Sequence, residues 1–580
     1  MSNATITTCK LLLFGRCVRA VLLSVGVQFL LLTVFLLLVN FQLLHPLDWV
    51  MGSLRLVCSF YTWFACIPLL GAVVFYGMTL SHQHLAERRY CPTRYRWLLQ
   101  NGPRKLLFLF AHLVVGYLTA WLYTGYLHTD YRHFVHKCYG QDCLNSYHIF
   151  LLGMGLSAGC YYFATEYMHE EASIDFDFAE QSRPEKLREL LYGTLLKAPI
   201  SSVMPTLCYT FIFWLFGAFL KYRLSVLVNV DTDDRLLGIL DVITNGRLLF
   251  YGWLLSAQIV SNMHLMRCFY ATLLSEKLPM VVARNRVSLG SEQEVTVVAG
   301  LGVLNVYVVQ CLAANFLYEE ARRKNSSVRA EIFQLTEPGN RPANWRALCD
   351  QCVSIVGSFT EELSDSMRQI SLMKGNEQNF ASIHSDSSAA LLAEKLLLRQ
   401  YNQMHGIRPV VSLPRDVPNQ EWDTKAMDSI RHVPNWCERT SMKLEKLLQQ
   451  LLRRIPGIVY FFSEPEGAKT EFLLENALPV IWLTQALAHI CVASINEDSY
   501  GVVQDDLPGI IKALHRLKCE LDRLSNGMPN FRTTSNSFNH LRYAVRRSLY
   551  NICTSFYKYL GELSSSGEEL RQLQAFVYQG

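Results

Sequence analysis

Six long uncharged runs fill the first half of the chain and alternate with short charged segments. A helix needs roughly 20 apolar residues to cross about 30 Å of hydrocarbon, and each run is about that long. The apolar residues surround the whole helix instead of forming one stripe, which is unlike a surface helix of a soluble protein. We therefore predict six membrane-spanning helices, at Ala20–Leu44, Leu56–Leu80, Leu106–Leu127, Tyr147–Thr165, Ala198–Leu220 and Leu248–Met266.

The hydrophobic pattern changes beyond about residue 287. Apolar residues there recur at three- and four-residue steps, which is the period of an amphipathic helix. The predicted fold class is therefore all-α, with a six-span transmembrane domain followed by an all-helical domain in water. The runs with this period are Trp345–Ile370, Ala389–Gln403, Asp423–Ile455, Thr470–Ser494, Val503–Leu524 and Phe538–Leu563.

Two segments rich in Gly, Ser, Asn or Pro interrupt the second half, at Gly375–Ser388 and Gly406–Gln420. Such composition is typical of linkers. The predicted domain organisation is a cytoplasmic segment at 1–19, the transmembrane domain at 20–266, a membrane-proximal helical region at 267–373, a linker with one helix at 374–420, and a C-terminal helical domain at 421–580.

One further uncharged run, Val295–Tyr318, has two interpretations. It is long enough to be a seventh span. However, Gly300, Gly302 and Asn305 lower its preference for lipid. A seventh span would also put the charged residues from Glu319 onward on the outer side, against the positive-inside trend. We expect a buried helix of the soluble half.

Lys and Arg are concentrated in alternate loops, for example Arg88, Arg94 and Arg96 after the second run. Because loops rich in these residues stay on the cytoplasmic side, both ends of the chain are predicted there. The hydrophobic fraction of 51% and the charged fraction of 18% agree with a membrane protein. The net charge of +5 is too small to indicate nucleic-acid binding.

The six spans contain no Asp, Glu, Lys or Arg, the residues that mark ion pathways at membrane depth. Gly155 and Gly159 have the small-xxx-small spacing that lets helices approach closely, which we interpret as ordinary packing inside the bundle. No phosphate loop and no HExxH helix is present. We expect no catalytic residues and no cofactor; a transporter or a membrane-embedded enzyme is the alternative.

Cys138 and Cys143 share one loop on the predicted non-cytoplasmic side, where disulfides can form. A disulfide between them is the first interpretation, and free thiols are another. A metal site is a third, because His133, His136 and His148 flank the pair. That spacing matches no standard zinc pattern, so no metal site is predicted.

The segment Met442–Arg454 predicts an amphipathic helix with a basic polar face. A basic amphipathic helix can lie on a membrane surface. The same spacing also suits a helix that faces a protein core, and we prefer that interpretation. The apolar face consists of Leu444, Leu447, Leu448, Leu451 and Leu452.

Six short stretches, in this order, make the chain resemble a known family. They are 45–49 (HPLDW), 143–148 (CLNSYH), 342–345 (PANW), 460–463 (YFFS), 500–504 (YGVVQ) with Leu507 and Pro508, and 541–544 (LRYA). Together with the six-span layout, the chain resembles the transmembrane nucleoporins of the nuclear division cycle family (Ndc-one). Its middle linker is shorter and less rich in Ser and Pro than in such proteins.

The resemblance implies a structural anchor. Proteins of this kind lie in the membrane ring of the nuclear pore complex, where inner and outer nuclear membranes fuse, and support pore assembly. Their C-terminal half is expected to bind soluble nucleoporins, including the WD-repeat protein ALADIN and a linker nucleoporin with an RNA-recognition-like fold. No nucleic acid and no small-molecule substrate is expected. The resemblance also implies residence in the endoplasmic reticulum during synthesis or mitosis.

Overall fold

The computed structural model describes most of the chain. The described residues are 3–42, 44–85, 88–138, 141–168, 176, 183–233, 236, 238–278, 280–282, 295–302, 306–324, 326–335, 341–383, 460–462, 464–465, 467–527, 536–563 and 567–579. They divide into two compact units. The first unit, called the membrane unit below, comprises Met1–Arg88, Gln100–Cys352 and His489–Asp505. The second, the C-terminal unit, comprises Arg89–Leu99, Val353–Ala488 and Asp506–Gly580.

The predicted spans all overlap long helices. These helices are Asn3–Val39, Phe60–His84, Arg94–Thr124, Ser146–Glu166, Val203–Val228 with the preceding turn Ala198–Ser201, and Gly246–Leu274. Several predicted ends are displaced: the first helix stops at Val39, and Leu56 belongs to a separate helix, Pro46–Val57. Tertiary contacts decide where a helix ends, whereas the uncharged run marks only where charges resume.

Among the described residues, five helical stretches are long and apolar enough to cross a membrane. Four of them overlap predicted spans, at Leu11–Val39, Phe60–His84, Arg94–Thr124 and Ala198–Val228. Helices Ser146–Glu166 and Gly246–Leu274 are not among the five, so the count of six spans stays a prediction. Polar residues such as Asn262 and Arg267 make the last of them less apolar.

The fifth apolar helix, Leu478–Glu497, was predicted as part of the soluble half. Within the protein, 61% of its apolar window is buried, against 33–50% in the other four. A helix that is apolar all round can be buried in a large protein core as well as in a membrane. Its apolar composition therefore fits burial within the protein.

The remaining helices of the membrane unit are short. They connect the long ones or follow the last of them. Their bounds are Pro46–Val57, Thr129–Arg132, Arg183–Tyr192, the π-helix Gly193–Lys197, Ile239–Thr244, Val297–Leu301, Tyr307–Arg322 and Ser327–Phe333.

The all-α prediction describes the architecture well, but two small sheets interrupt it. Strands β1 (Val135–Cys138), β2 (Gln141–Leu144) and β3 (Asp231–Thr232) form one sheet in that order. β1 and β2 are antiparallel, whereas β2 and β3 are parallel. The other sheet pairs Met280–Val281 with Val295–Thr296. Strands this short leave little periodic signal in a sequence.

The run Val295–Tyr318 is not one continuous helix. A strand at Val295–Thr296 leads into helix Val297–Leu301, which ends at Gly302, and a second helix covers Tyr307–Arg322. Val308, Cys311, Leu312 and Leu317 are almost fully buried. The run is therefore buried, as expected, but it lies in the membrane unit as two helices rather than one.

The C-terminal unit is a bundle of amphipathic helices. Its core brings Val356, Phe359 and Leu363 from helix Ala343–Ile383 against residues that follow position 467. That helix continues beyond position 373, where the linker is predicted to begin. The predicted linker boundaries, 374 and 420, stay predictions. The other helices are Ala468–Glu475, Leu478–Glu497 as far as Ala488, Leu507–Gly527, Asn536–Ser555, the 3-10 turn Tyr557–Tyr559, Leu560–Leu563 and Gly567–Gln579.

Candidate functional site

A close helix crossing in the membrane unit lies at the predicted glycines. A side chain added at Gly155 would meet the Cβ of Ala120 at 2.5 Å and the carbonyl oxygen of Gly116 at 2.6 Å. One added at Gly159 would meet the carbonyl oxygen of His112 at 2.6 Å. Helices Arg94–Thr124 and Ser146–Glu166 thus cross backbone against backbone, a contact that only small residues permit. Gly116, the glycine on the opposing helix, was not predicted from the sequence.

Some polar side chains inside the bundle are hydrogen bonded across helices. The amides of Gln28 and Asn262 exchange two hydrogen bonds, of 2.7 and 3.1 Å, and so connect the first and last long helices. His112 donates from Nδ1 to the carbonyl oxygen of Phe108 at 2.7 Å. Its Nε2 lies 3.3 Å from the hydroxyl of Tyr76. The arrangement satisfies these buried groups and holds helices together.

Charged residues fasten the helices at one end of the bundle. The guanidinium of Arg16 donates to the carbonyl oxygens of Glu276 at 2.5 Å and Lys277 at 2.9 Å. Lys105 donates to the carbonyl oxygens of Tyr167 and Met168, both at 3.1 Å. All of these residues lie in or beside segments predicted to face the cytoplasm, which agrees with an alternating up-and-down course of the helices.

The three-stranded sheet lies at the opposite end of the long helices. It joins the segment after helix Arg94–Thr124 to the segment after helix Val203–Val228 through the pairing of β2 with β3. Asn145, directly after β2, connects this strand to the segment before β1. Its side-chain amide donates to the carbonyl oxygens of Asp130 and His133, both at 2.8 Å. Its oxygen accepts from the Tyr147 amide and caps the next helix.

The two predicted lumenal cysteines lie on this sheet as thiols. Cys138 pairs across the hairpin with Gln141, and Cys143 with His136. Because side chains alternate along a strand, His136, Cys138 and Cys143 share one face. The Cys138 Sγ lies 2.9 Å from the His136 Nε2, and the Cys143 Sγ lies 4.0 Å from the Cys138 carbonyl oxygen. The disulfide stays a prediction.

A carboxylate that follows the third strand also lies close to this cluster. Oδ2 of Asp233, just after β3, lies 3.4 Å from Nε2 of His136. His136, Cys138 and Asp233 can each offer one metal-ligating atom, and these atoms all lie within 4.8 Å of one another. Sequence spacing drew attention to the histidines, but Asp233 lies too far along the chain for spacing to identify it.

The C-terminal unit includes a short segment from between two membrane helices. Arg94 lies 3.6 Å above the ring of Tyr460 and donates to its carbonyl oxygen at 3.1 Å. The rings of Tyr95 and Phe462 are 4.7 Å apart. Tyr90 hydrogen bonds to Glu464; burial, and then this carboxylate, raise the pKa of the phenol. The segment Arg89–Leu99 is therefore part of this unit.

A charged cluster connects two helices of the C-terminal unit. Oδ1 of Asp522 accepts from Arg542 at 3.0 and 3.2 Å and from Arg546 at 2.8 Å. Lys518 lies 3.4 Å from its other oxygen. Burial raises the pKa of the Asp522 carboxyl, but the hydrogen bond from Arg542 and the three positive charges outweigh burial, so that the pKa lies below its usual value.

The predicted amphipathic face of Leu444, Leu447, Leu448, Leu451 and Leu452 lies outside the described residues. Its assignment to a protein core or a membrane surface stays a prediction.

The long apolar helices and the helical C-terminal unit define the class: a helical membrane protein. The chain belongs to the family described as Nucleoporin protein Ndc1-Nup, whose model matches residues 11–574. It is 63% identical to Nucleoporin Ndc1 of Drosophila melanogaster over 579 residues, which cover 100% of both chains. It is 60% identical over 578 residues to the protein of the same name from Drosophila pseudoobscura pseudoobscura, covering 99% of both.

More distant relatives extend over almost the same length. Nucleoporin NDC1 of Homo sapiens is 22% identical over 639 residues, which cover 94% of each chain. The family resemblance predicted from short motifs is confirmed. The chain is thus a transmembrane nucleoporin of the nuclear pore, and the nuclear envelope is its membrane.

Proposed function

We propose that this nucleoporin is a non-enzymatic anchor that holds the nuclear pore complex in the nuclear envelope, supports pore assembly and insertion, and recruits soluble nucleoporins through its C-terminal half. The anchoring part is the bundle of long apolar helices. The recruiting part is the C-terminal unit, which has its own buried core and a charged, water-facing surface.

One observation supports this division most directly. Arg89–Leu99, between the second and third long helices, packs in the same compact unit as the C-terminal helices. Packed residues share a compartment, so the C-terminal unit lies on the side of that segment. The segment is rich in arginine, and loops rich in Lys and Arg stay on the cytoplasmic side. We therefore place the C-terminal unit on the cytoplasmic side. Both ends of the chain are then cytoplasmic or pore-facing, and the three-stranded sheet is lumenal.

Partner binding needs more surface than the short loops offer. Stable protein interfaces bury about 1,200–2,000 Å² in total. The C-terminal unit presents exposed aromatic residues such as Tyr460, Phe461 and Tyr543 beside exposed charges, a composition that suits an interface. Its proposed partners are those implied by the family: an ALADIN-like WD-repeat protein and the linker nucleoporin with an RNA-recognition-like fold.

The test separates residence in the membrane from recruitment. A tagged 1–286 fragment and the full chain are expressed at equal level, and neighbouring proteins are identified by proximity labelling at the nuclear rim. We expect both to enter the nuclear envelope and endoplasmic reticulum, but only the full chain to label the soluble nucleoporins. Equal labelling by the 1–286 fragment would place recruitment in the membrane part and contradict the proposal.

Orientation has an independent test. Asn3 and Asn325 each begin a glycosylation acceptor sequence, and glycosylation occurs only on the lumenal side. We expect neither to be modified. A mobility shift on glycosidase treatment that disappears with Asn325→Gln would mean that the chain crosses the membrane once more between residues 295 and 318. A shift that depends on Asn3 would invert the proposed orientation.

A further inference from the structure

The three-stranded sheet collects metal-ligating side chains on one face. His136 and Cys138 are two residues apart on β1, so they point to the same side. Cys143 lies directly opposite His136, and Asp231 pairs with Cys143 on β3. Asp233 follows Asp231 by two residues. The opposite face carries Val135, Lys137, Asp142, Leu144 and Thr232, which include no histidine and no thiol.

From this face we infer that His136, Cys138 and Asp233 form a binding site for a zinc-type divalent cation. A thiolate, an imidazole and a carboxylate are the donor types that Zn²⁺ combines, whereas Ca²⁺ and Mg²⁺ prefer oxygen alone. Water can complete a tetrahedral set. The site joins two loops that are far apart in sequence.

All three ligand atoms lie within 4.8 Å of one another, and two of their separations can be compared with this donor set. Tetrahedral zinc with bonds of about 2.0–2.3 Å separates its ligand atoms by roughly 3.4–3.6 Å. The His136 Nε2 and the Asp233 Oδ2 are 3.4 Å apart. The Cys138 Sγ and the His136 Nε2, at 2.9 Å, need to separate by only about half an ångström to reach the same range.

Burial favours the site as well. The side chains of His136 and Asp233 are 22% and 7% exposed, so their positions are held by surrounding protein. Nδ1 of His136 is buried and has no hydrogen-bond partner among the described residues, which leaves Nε2 as the atom facing Cys138 and Asp233. Binding replaces the thiol proton: the cation bonds to the sulfur and one proton is released to solvent.

A disulfide between Cys138 and Cys143 would compete for the same sulfur, so the experiment removes that competitor. Full-length Cys143→Ser protein and reduced wild-type protein are purified in detergent, equilibrated with Zn²⁺ alone, desalted and analysed for metal content. We expect one Zn²⁺ per chain that depends on this site. Asp233→Asn and Cys138→Ser in the Cys143→Ser background should weaken binding more than about 100-fold, because each removes a ligand.

Asp142→Asn is the matched control, since it removes a carboxylate from the opposite face of the same hairpin and should leave binding unchanged. A second measurement does not depend on how the ligand variants fold. In Cys143→Ser protein, Zn²⁺ should protect Cys138 from alkylation, as read from the mass of its peptide. Absence of bound zinc in the Cys143→Ser protein, or zinc that survives both ligand substitutions, would overturn the inference, as would unprotected alkylation of Cys138.

Discussion

The membrane helices and the helices of the C-terminal unit contain the same types of apolar residue. These side chains are exposed on the membrane helices and buried in the C-terminal unit. In helix Val203–Val228, Leu207, Phe211 and Phe216 are more than half exposed. In helix Leu507–Gly527, Leu514, Leu517 and Leu521 are at most 1% exposed, and Lys512 and Arg516 face outward. One set of helices is polar outside, and the other is apolar outside.

In the proposed arrangement, this difference reflects the solvent around each unit, lipid for the membrane unit and water for the C-terminal unit. Exposed apolar side chains on this scale would be costly in water, at about 25 cal/mol for every Å² left uncovered. In hydrocarbon they cost nothing. The helices of the membrane unit are therefore held together by close backbone packing and paired polar groups, whereas the C-terminal unit is held together by burial of its apolar stripes. Substitutions should respond accordingly.

A charge in the C-terminal core should have the largest effect. Leu517→Glu puts an uncompensated carboxylate into a fully buried position, at a cost of roughly 3–5 kcal/mol. We expect the variant to lose protease resistance in residues 467–563 and to remain in the membrane after carbonate extraction. Lys512→Glu, an exposed position on the same helix, is the control. Equal protease resistance in the two variants would mean that this core does not stabilise the unit.

An enlarged side chain at the glycine crossing should have the next largest effect. Gly155→Leu forces helix Ser146–Glu166 away from Gly116 and Ala120 and should cost about 1–3 kcal/mol. The apparent melting temperature of the detergent-solubilised protein measures it. Gly71→Leu, at a glycine with open space around its Cα, should leave that temperature nearly unchanged. A similar loss from both variants would contradict backbone packing at this crossing.

Removal of the paired amides should cost less. Hydrogen bonds between membrane helices contribute on average about 0.6 kcal/mol and at most about 1.7. We expect Gln28→Leu and Asn262→Leu to lower thermal stability singly, because each leaves one amide without its partner. The double variant should be more stable than the sum of the two losses predicts, which a double-mutant cycle measures. If the two losses of stability simply add in the double variant, the two amides do not stabilise each other.

The charged cluster around Asp522 should have the smallest effect, and this effect should depend on pH. Its carboxyl pKa is lowered in the folded protein, so its contribution is present above an unfolded pKa of about 4 and is lost as the pH falls through the lower folded value. We expect Asp522→Asn to cost less than about 1 kcal/mol at pH 7 and nothing at low pH. Asp365→Asn, at an exposed position, controls for the loss of a surface charge.

The sequence predicted most of the helices because their signals are local. Uncharged runs located the long helices, and three- and four-residue spacing located the amphipathic ones. The number of spans is harder to predict from the sequence. Residues such as Asn262 and Arg267 raise the average polarity of a helix, but the sequence does not show whether they have hydrogen-bond partners. Gln28, the partner of Asn262, lies in the first long helix, and no spacing rule connects the two.

The three-stranded sheet could be predicted only in part. The two cysteines were visible because they are neighbours in one loop. β3 has two residues, and its pairing with β2 brings Asp233 to a histidine almost a hundred residues earlier. In the same way, glycine spacing drew attention to Gly155 and Gly159, but Gly116 lies on another helix. Contacts between distant segments depend on the assembled bundle and leave no periodic pattern.

The membership of Arg89–Leu99 in the C-terminal unit has a consequence for biosynthesis. Tyr90 and its partner Glu464 are separated by 374 residues. A ribosome that adds about 5–20 residues each second needs roughly 20–75 s to deliver that partner. The early segment therefore emerges beside the membrane long before the helices that will cover it. The order of translation leaves this segment without these partners for that time, and the C-terminal unit can be completed only after the helices that follow position 467 have been synthesised.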